Sequence, residues 1–495
     1  MIFETAEPKK KGTETLSKYE AELNDWIGHE KSAIELIHTI GDLWFDKSVE
    51  LVMFRNQLYD RTATEILQLH LYAKNIINEP ILAQDTLMLA NELYKLDLAP
   101  SRIDIGRLGA EWLKEKGKYK SVTDFVTDKL SGFIGQDKRI LVPKDVVLYG
   151  FGRIGRLVAR ELISQAGKGE QLRLKAIVTR SNSEEDITKR ADLLRNDSVH
   201  GPFPGTVVVD FDNKALIVNG HTIHMIAAKN PDDIDYTKYE INDALLVDNT
   251  GVTREREGLA KHLKSKGISK VLLTAPGKGD IPNIVHGVNH TDYKKDETVF
   301  SAASCTTNAI VPILLVIDKE LGITRGHIET IHAYTNDQNL LDNYHKKYRR
   351  GRSAALNMVI TETGADKAVA KVLPNLTGKL TGNAVRVPTP DVSLAILNLT
   401  IAKEVTKEEV NQILKDAALK GALVEQIQYS FSNELVSSDL VGNPCACIVD
   451  SPATIVSKDK KSIVLYIWYD NEYGYSRQVV RFAKHLSEVV RLTYY

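Results

Sequence analysis

The sequence predicts a multidomain α/β protein in which the α/β part is preceded by an all-helical domain. Length is the first indication: the chain has 495 residues, and domains usually hold roughly 100–200 residues, so two to four domains are expected. The second indication is a change near residue 140, where helical spacing of apolar residues gives way to short apolar runs that alternate with helical stretches. Alternating strands and helices are typical of an α/β sheet.

Residues 1–140 follow a helical pattern almost throughout. A heptad-like series indicates the first helix: Leu16, Tyr19, Leu23, Trp26, Ala33, Ile37 and Ile40. Apolar stripes at this spacing usually serve only to pack a core, so we expect a helical bundle without chemistry of its own. Further helices are predicted over 47–78, 82–96, 100–117 and 121–131.

Composition and charge exclude several classes of protein. Lys and Arg total 64 against 65 Asp and Glu, so no positive field points to nucleic acid or anionic lipid. Three cysteines, Cys305, Cys445 and Cys447, are too few for a disulfide framework, which favours a reducing cytoplasm. Residues 1–14 lack the apolar run of a signal peptide, and no apolar stretch is long enough to span a bilayer.

A glycine-rich turn follows the first strand of the α/β part. Strand 145–149 leads directly into Gly150-Phe151-Gly152-Arg153-Ile154-Gly155, and a helix follows. Gly150 suits the tight turn, Gly152 lets the backbone approach a pyrophosphate, and Gly155 permits close packing of helix and strand. Because the N–H groups at the start of a helix attract phosphates, this turn predicts a Rossmann-type dinucleotide-binding domain.

The residues after the next strand bear on the choice of dinucleotide. Strand 174–178 is followed by Thr179, Arg180 and Ser181, where an NAD site usually has an acidic residue that binds the ribose hydroxyls. Arginine and hydroxyl groups suit a 2′-phosphate instead. The sequence therefore favours NADP over NAD as the cofactor.

A cysteine and a histidine form the candidate catalytic pair. Cys305 is expected at the N-terminus of an apolar helix, where the helix dipole lowers the pKa of a thiol. His332 follows on a predicted strand. A Cys/His pair contributed by separate elements is typical of enzymes that form acyl intermediates.

These segments together resemble the glyceraldehyde-3-phosphate dehydrogenase family. The motifs that carry the resemblance are GFGRIGR (150–156), NDSVHGPFPG (196–205), SCTTN (304–308), HAYT (332–335), LPNLTGKLTGNAVRVPTPDVS (373–393) and WYDNEYGYS (468–476). The resemblance implies a dinucleotide-binding domain at 143–304, completed by a C-terminal helix over 474–495, and an α+β catalytic domain at 305–473. It does not extend to residues 1–140.

The resemblance also implies a reaction. Cys305 would attack the aldehyde of glyceraldehyde 3-phosphate while His332 takes the proton, and oxidation by NAD(P) would leave a thioester. Inorganic phosphate would then release 1,3-bisphosphoglycerate, reversibly. The family's phosphate-binding positions correspond to Ser304, Thr306, Thr335, Thr363, Gly364 and Arg386, and further cofactor contacts to Thr274, Asn471 and Tyr475. No metal site is expected.

The family further implies a cytoplasmic homotetramer of glycolysis or gluconeogenesis, without nucleic-acid or membrane partners. The basic cluster at 346–352 is therefore interpreted as part of an inter-subunit loop. Two alternatives stay open. One is an erythrose-4-phosphate dehydrogenase, which shares the scaffold and the Cys/His pair, and the other is a non-catalytic regulator or scaffold that acts through residues 1–140.

Overall fold

The computed structural model describes residues 17–495, and their contacts form two compact units. The first unit combines residues up to Ile140 with Arg491–Tyr495, and the second is Leu141–Val490. The predicted features at 1–14 and at Leu16 lie outside the described residues. Within 17–495, no helix is both long and apolar enough to cross a bilayer.

The first unit contains five α-helices and a small sheet within its described residues. Ser17 begins the first helix with a capping box to Glu20. Only the second half of this helix packs into the core, since Ala33, Leu36 and Ile40 are buried whereas Tyr19, Leu23 and Trp26 are exposed. The elements are α1 Lys18–Lys47, β1 Val49–Met53, β2 Asn56–Gln57, α2 Ala63–Ile77, α3 Ala83–Lys95, β3 Ser101–Asp104, α4 Ile105–Glu115 and α5 Val122–Lys129.

The sheet corrects the prediction of an all-helical domain. The single helix predicted over 47–78 is in fact strand β1, a turn through Phe54 and Arg55 with positive φ angles, strand β2 and then helix α2. All five residues of β1 are buried, and the apolar spacing of so short a run does not distinguish a strand from a buried helix. Similarly, β3 precedes α4 where a helix alone was predicted.

The fourth strand of this sheet comes from the other end of the chain. Leu492–Tyr494 lies parallel to β3, with Leu492 opposite Ser101. The helix predicted over 474–495 therefore ends early, at Leu486. Buried Glu50 pairs with Arg102 and with Arg491 at 3.3 Å each, so strands from distant parts of the sequence share one charge network.

The second unit begins with an eight-stranded sheet in the order β13-β12-β11-β4-β5-β10-β9-β8. Six neighbouring strands, from β13 to β10, pair in parallel, and β9 and β8 extend the sheet antiparallel. Its elements are β4 Lys144–Tyr149, α6 Arg153–Ser164, β5 Leu172–Thr179, α7 Glu184–Arg195, β6 Asn196–Asp197, β7 Gly201–Pro202, β8 Val207–Asp210, β9 Ala215–Val218, β10 His221–Ala227, β11 Ala244–Asp248, α8 Arg256–Leu259, β12 Ile268–Leu273 and β13 Val299–Ser301. The predicted α/β class is confirmed.

A second, mixed sheet follows in the order β15-β16-β14-β17-β21-β19-β18, with β20 beside β21. Buried apolar residues of this sheet and of helices α9, α10 and α11 form one hydrophobic core. The elements are α9 Cys305–Leu321, β14 Ile323–Ala333, β15 Val359–Thr361, α10 Ala365–Val372, β16 Leu380–Val387, β17 Ser393–Ile401, α11 Lys407–Leu419, β18 Ile427–Ser430, β19 Cys447–Asp450, β20 Ile455–Val456, β21 Ser462–Tyr469 and α12 Tyr473–Leu486. Helix α12 packs against α6, a helix that follows strand β4 of the eight-stranded sheet.

Candidate active site

The glycine turn has the geometry that its spacing predicts. Gly150 has a φ of 91°, a conformation that glycine adopts without strain. A Cβ on Gly155 would lie 2.5 Å from the Gly150 carbonyl oxygen, whereas a Cβ on Gly152 would meet nothing within 4 Å. Helix and strand therefore touch at Gly155, and open space remains beside Gly152 at the N-terminus of α6, where a phosphate group would fit.

The other residues of the turn pack or pair within the protein. Phe151 is buried in the hydrophobic core beside the eight-stranded sheet that begins the second unit, and Ile154 packs against the same core. The Arg153 guanidinium donates to Glu472 and, at 3.1 and 3.2 Å, to Asp197. It is thus occupied by two carboxylates. Although burial acts to raise the pKa of Asp197, hydrogen bonds from the His200 and Val199 N–H groups and the charge of Arg153 lower it to about 2.

Two groups of predicted cofactor contacts lie at the carboxyl ends of parallel strands of the same sheet, β5 and β12, with β4 and β11 between them. Thr179 ends β5 and donates its hydroxyl to the Ser181 carbonyl at 2.7 Å, and Arg180 beside it is exposed. Thr274 follows β12 and donates to the Asp248 carbonyl at 3.1 Å. Ligands of open α/β sheets bind at this edge. The first turn of α7 nearby is acidic, with Glu184, Glu185 and Asp186.

The structure brings the predicted catalytic pair together. Cys305 is the first residue of α9 and His332 lies near the end of β14, with Cys305 Sγ 3.6 Å from His332 Nε2. Ser304 caps α9, because its hydroxyl accepts the Thr307 N–H at 3.0 Å. Ala303, just before it, has a φ of 55°, and Tyr475 donates to its carbonyl at 3.0 Å. Tyr475 therefore holds the turn that presents Cys305.

Burial opposes the charged form of both members of the pair. Burial raises the pKa of the Cys305 thiol, although the charge of Arg386 and the Thr306 donors oppose that effect. Burial and the Arg386 charge lower the pKa of His332 to about 3. The expectation of a thiol pKa lowered by the helix dipole is thus wrong in direction, because burial outweighs the neighbouring positive groups.

Arg386 connects the histidine to the predicted phosphate-binding residues. Its Nη1 lies 2.9 Å from His332 Nδ1 and donates to the Ala333 carbonyl at 2.9 Å and to the Thr335 hydroxyl at 3.2 Å. His332 Nδ1 is also 2.7 Å from the Ala333 carbonyl. When Nδ1 donates to that carbonyl, the Nε2 lone pair faces the thiol, which is the tautomer that a general base requires.

The remaining phosphate-binding candidates are placed by helix starts. Thr306 lies in the first turn of α9 and is buried. Thr363 and Gly364 directly precede α10, where the Thr363 hydroxyl accepts the Ala365 N–H at 3.2 Å, and α10 packs against α9. Backbone N–H groups at a helix start can serve as donors for anions, and those at the start of α9 lie beside Cys305.

Two buried hydroxyl residues that sequence reasoning missed support the site. The Tyr469 hydroxyl lies 3.0 Å from the Thr306 hydroxyl and 2.7 Å from that of Thr330. The Thr306 hydroxyl also bonds Cys305. When Thr306 donates to the sulfur, Tyr469 must donate to Thr306 and Thr330 to Tyr469, because each hydroxyl has one proton. No local sequence motif indicates this series of hydrogen bonds, since Thr306, Tyr469 and Thr330 come from three separate elements.

A third missed residue joins the two halves of the site. Ser393 donates to Asn471 Oδ1 at 2.7 Å and accepts the Ala333 N–H at 3.1 Å. Ala333 is the neighbour of His332 in β14. Ser393, the first residue of β17, thus links the predicted nicotinamide-binding Asn471 to β14, the strand that carries His332.

A Rossmann-type sheet joined to a pair formed by a half-buried cysteine and a buried histidine defines the class of thiol-dependent dehydrogenases. Two family descriptions match the chain: "Glyceraldehyde 3-phosphate dehydrogenase, NAD binding domain" at 144–256 and "Glyceraldehyde 3-phosphate dehydrogenase, C-terminal domain" at 304–471. The chain belongs to the glyceraldehyde-3-phosphate dehydrogenase family, which confirms the resemblance found in the sequence.

Individual relatives divide into two groups by coverage. A glyceraldehyde-3-phosphate dehydrogenase of Zymomonas mobilis is 39% identical over 346 residues, 70% of this chain and 99% of the relative. The chloroplastic enzyme A of Zea mays is 43% identical over 338 residues, 68% of this chain and 81% of the relative. A glyceraldehyde-3-phosphate dehydrogenase-like protein of Pseudomonas aeruginosa is 50% identical over 457 residues, 92% of this chain and 98% of the relative.

The Pseudomonas match is longer than the whole second unit, Leu141–Val490. It therefore includes a large part of the first unit. The helical extension, which had no counterpart in the sequence resemblance, is shared with at least this relative.

Proposed function

We propose that the protein oxidises glyceraldehyde 3-phosphate with NAD(P) and inorganic phosphate to 1,3-bisphosphoglycerate, reversibly. The observation that carries this proposal is the approach of Cys305 Sγ to His332 Nε2 at 3.6 Å, with Arg386 against the other side of the imidazole. A thiol, a general base and a guanidinium in one buried site are the groups that an acyl-forming oxidation of a phosphorylated aldehyde needs.

Proton transfer and bond formation at Cys305 are coupled in this proposal. Because burial raises the pKa of the thiol and lowers that of His332, the proton moves from sulfur to Nε2 as the sulfur attacks the carbonyl carbon. The backbone N–H at the start of α9 and the protonated His332 then stabilise the oxyanion of the thiohemiacetal. Burial favours this concerted route because no isolated charge has to form beforehand.

The second half-reaction releases the acyl group. NAD(P), when bound, supplies the hydride acceptor that turns the thiohemiacetal into a thioester. Inorganic phosphate, held by Ser304, Thr306, Thr363 and Gly364, attacks the thioester carbon, and the thiolate of Cys305 leaves. Thr335 and Arg386 bind the phosphate group of the substrate. The Arg386 hydrogen bond to Thr335 at 3.2 Å supports this pairing.

The cofactor site fits a dinucleotide, and we propose that it prefers NADP. The open space beside Gly152 suits the pyrophosphate. Thr274, Asn471 and Tyr475 would contact the nicotinamide end. Arg180, exposed at the end of β5, would pair with a 2′-phosphate, and no carboxylate occupies that position. Thermal shifts with each cofactor test the preference: we expect a larger shift with NADP, and an equal or larger shift with NAD would contradict it.

Steady-state rates distinguish the enzymatic alternatives. We expect a higher kcat/KM with glyceraldehyde 3-phosphate than with erythrose 4-phosphate, and dependence of the rate on inorganic phosphate. The reverse aldehyde preference would identify an erythrose-4-phosphate dehydrogenase, and a rate without phosphate dependence would exclude acyl-phosphate formation. Cys305→Ser should abolish turnover, and a wild-type phenotype of that variant in cells would favour the regulator or scaffold alternative.

We further propose a cytoplasmic homotetramer of central carbohydrate metabolism, assembled through the loop at 339–360. The three cysteines are free, as is usual in a reducing compartment. The loop exposes a group of large apolar side chains, which marks an interaction surface: Leu340, Leu341, Tyr344, Tyr348, Leu356, Met358 and Ile360. Its arginines are engaged internally, Arg350 by Asp337 and Arg352 by Asp342, so the basic cluster is a poor nucleic-acid site.

Light scattering tests the assembly directly. We expect a mass about four times the chain mass of 55.2 kDa. Replacing Leu340 and Leu341 by Asp should lower it. Val252→Asp, which places the same charge on an exposed apolar residue outside the loop, should not.

A further inference from the structure

A buried acidic cluster lies beside the nicotinamide end of the site. His200 follows β6, Asp391 precedes β17 and Asp470 precedes α12. One side-chain nitrogen or oxygen atom from each of the three residues lies within 4.8 Å of the corresponding atoms of the other two. Asp391 and Asp470 are 3% and 1% exposed. Two carboxyl groups so close together and so well buried do not both remain ionised without compensating donors or charges.

The two carboxyl groups differ in the donors that reach them. Asp470 accepts three backbone N–H groups, from Gly442 at 2.7 Å, Glu472 at 2.9 Å and Tyr473 at 2.7 Å. Hydrogen bonds of this kind stabilise the charged form of a carboxylate. Asp470 is therefore the better anion of the pair.

Asp391 has weaker support. Both of its carboxyl oxygens are buried without a well-formed hydrogen bond to a described residue, although the nearby Val392 N–H acts to lower the pKa of the carboxyl group. The nearest cationic candidate is His200, whose Nε2 lies 3.5 Å from Asp391 Oδ2 but closer, at 3.2 Å, to Glu472 Oε2. An ionised carboxylate in this position would lose its hydration and gain little in return.

The surrounding charges do not change this balance. The arginines near the cluster are already paired with other carboxylates. Arg153 bonds Glu472 and Asp197, and Arg156 lies 3.7 Å from Asp197. Burial beside Asp470 and Glu472 raises the pKa of Asp391 to about 9. The groups that face Asp391 are His200, Asp470 and Glu472, with Asp197, Arg153 and Arg156 behind them.

We propose that Asp391 is held as the neutral acid and shares its proton with Asp470, so that the two carboxyl groups form one buried hydrogen-bonded pair. The donors assign the proton to Asp391, because three backbone N–H groups bond Asp470 with good geometry, whereas Asp391 has only a weaker contact with the Val392 N–H among its described neighbours.

The pair joins the two segments that position the nicotinamide contact. Asp391 is two residues before Ser393, which donates to Asn471, and Asp470 is the residue before Asn471. Asp391 and Asp470 are thus positioning residues for Asn471, a role that rests on the proposed function. Loss of the shared proton would place two like charges between these segments and move them apart.

The proton itself is tested without any activity. An infrared difference spectrum of wild type minus Asp391→Asn at pH 7 should contain a carboxylic-acid carbonyl band. The matched control is Asp232→Asn, the same change at an exposed site, whose difference spectrum should show only a carboxylate. Absence of the acid band in the Asp391 spectrum would overturn the proposal.

Stability against pH gives a second, independent readout. The unfolded chain loses the Asp391 proton near roughly pH 4, whereas the folded chain keeps it up to about 9. Unfolding between these values therefore releases a proton, so wild type loses stability relative to Asp391→Asn as pH rises. We expect the ratio of their unfolding constants to change by up to roughly a hundredfold between pH 6 and 8. A constant ratio would contradict the proposal.

Metal analysis and cofactor binding complete the test. One equivalent of a divalent metal in wild type that is lost in Asp391→Asn would show that a cation, not a proton, neutralises the cluster.

The positioning role is tested by cofactor binding. The Kd of NADP measured by calorimetry should rise roughly tenfold in wild type from pH 7 to 10, about the loss of one hydrogen bond, and stay unchanged in Asp391→Asn. Equal rises in both would refute the link to Asn471. A chain that binds neither NADP nor NAD would refute the proposed function, while the infrared result would still decide the proton.

Discussion

Replacing Gly152 and Gly155 separately by alanine should have different effects: Gly152→Ala should weaken cofactor binding, and Gly155→Ala should lower the stability of the fold. The two glycines are three residues apart in one turn, yet a Cβ at Gly155 would lie 2.5 Å from the Gly150 carbonyl oxygen and a Cβ at Gly152 would meet nothing within 4 Å. Neither residue has a positive φ, so backbone strain does not confound the comparison. Only the space around each Cβ differs.

The magnitudes follow from these contacts. For Gly155→Ala, α6 must withdraw by about 1 Å from β4 to restore an ordinary contact of ~3.5 Å, and overpacking of this kind typically costs about 1–3 kcal/mol. For a unit of the size of Leu141–Val490, that loss corresponds to a Tm lowered by roughly 1–4 °C. For Gly152→Ala, the folded chain loses nothing and the unfolded chain loses freedom, so stability should hold or rise by about 0.4–1 kcal/mol.

Cofactor binding should show the opposite order of variants. The methyl group at residue 152 would occupy the space that we assign to the pyrophosphate, so its Kd for NADP should rise roughly tenfold or more. Thermal unfolding without cofactor and calorimetric titration with it measure the two effects. If Gly152→Ala bound NADP as wild type does, or Gly155→Ala lost no stability, the assignment of this turn would be wrong.

Three further outcomes are expected. Because burial raises the pKa of the Cys305 thiol, its alkylation by iodoacetamide should accelerate with pH from 7 to 10; a constant rate would contradict the buried neutral thiol. Tyr469→Phe should slow that alkylation and lower stability by about 1–3 kcal/mol, since two buried hydroxyls lose a partner; Tyr466→Phe, on the same strand, is the control, and equal effects would exclude the hydroxyl chain. Arg180→Asp should weaken NADP relative to NAD by roughly tenfold or more, whereas Lys189→Asp should not; unchanged selectivity would remove Arg180 from the cofactor site.

Local sequence was sufficient to predict those features of the site that depend on neighbouring residues. The spacing of Gly150, Gly152 and Gly155 after an apolar strand predicts a turn whose geometry the structure reproduces. Cys305 begins a helix and His332 lies on a strand, as their surroundings predict. Turn conformation, helix starts and strand ends are set within a few residues, so these features are visible in the pattern.

The first unit shows where local pattern was insufficient. Strand β1 was predicted as helix because so short a segment, apolar except for Glu50, satisfies either periodicity. Its sheet is completed by Leu492–Tyr494, and nothing in the last residues of the sequence indicates a partner near residue 101. Pairing between such distant segments depends on the whole fold, which brings their backbones together.

The sequence by itself determined the family, the α/β class of the second unit and the identity of the cysteine and histidine. Only the tertiary structure decided how that pair is charged and supported. Burial raises the pKa of Cys305 against the helix start that would lower it. Tyr469 and Ser393 support the site from segments that are far from Cys305 in the chain. Desolvation and contacts of this kind arise when separate elements pack, and no single segment of sequence records them.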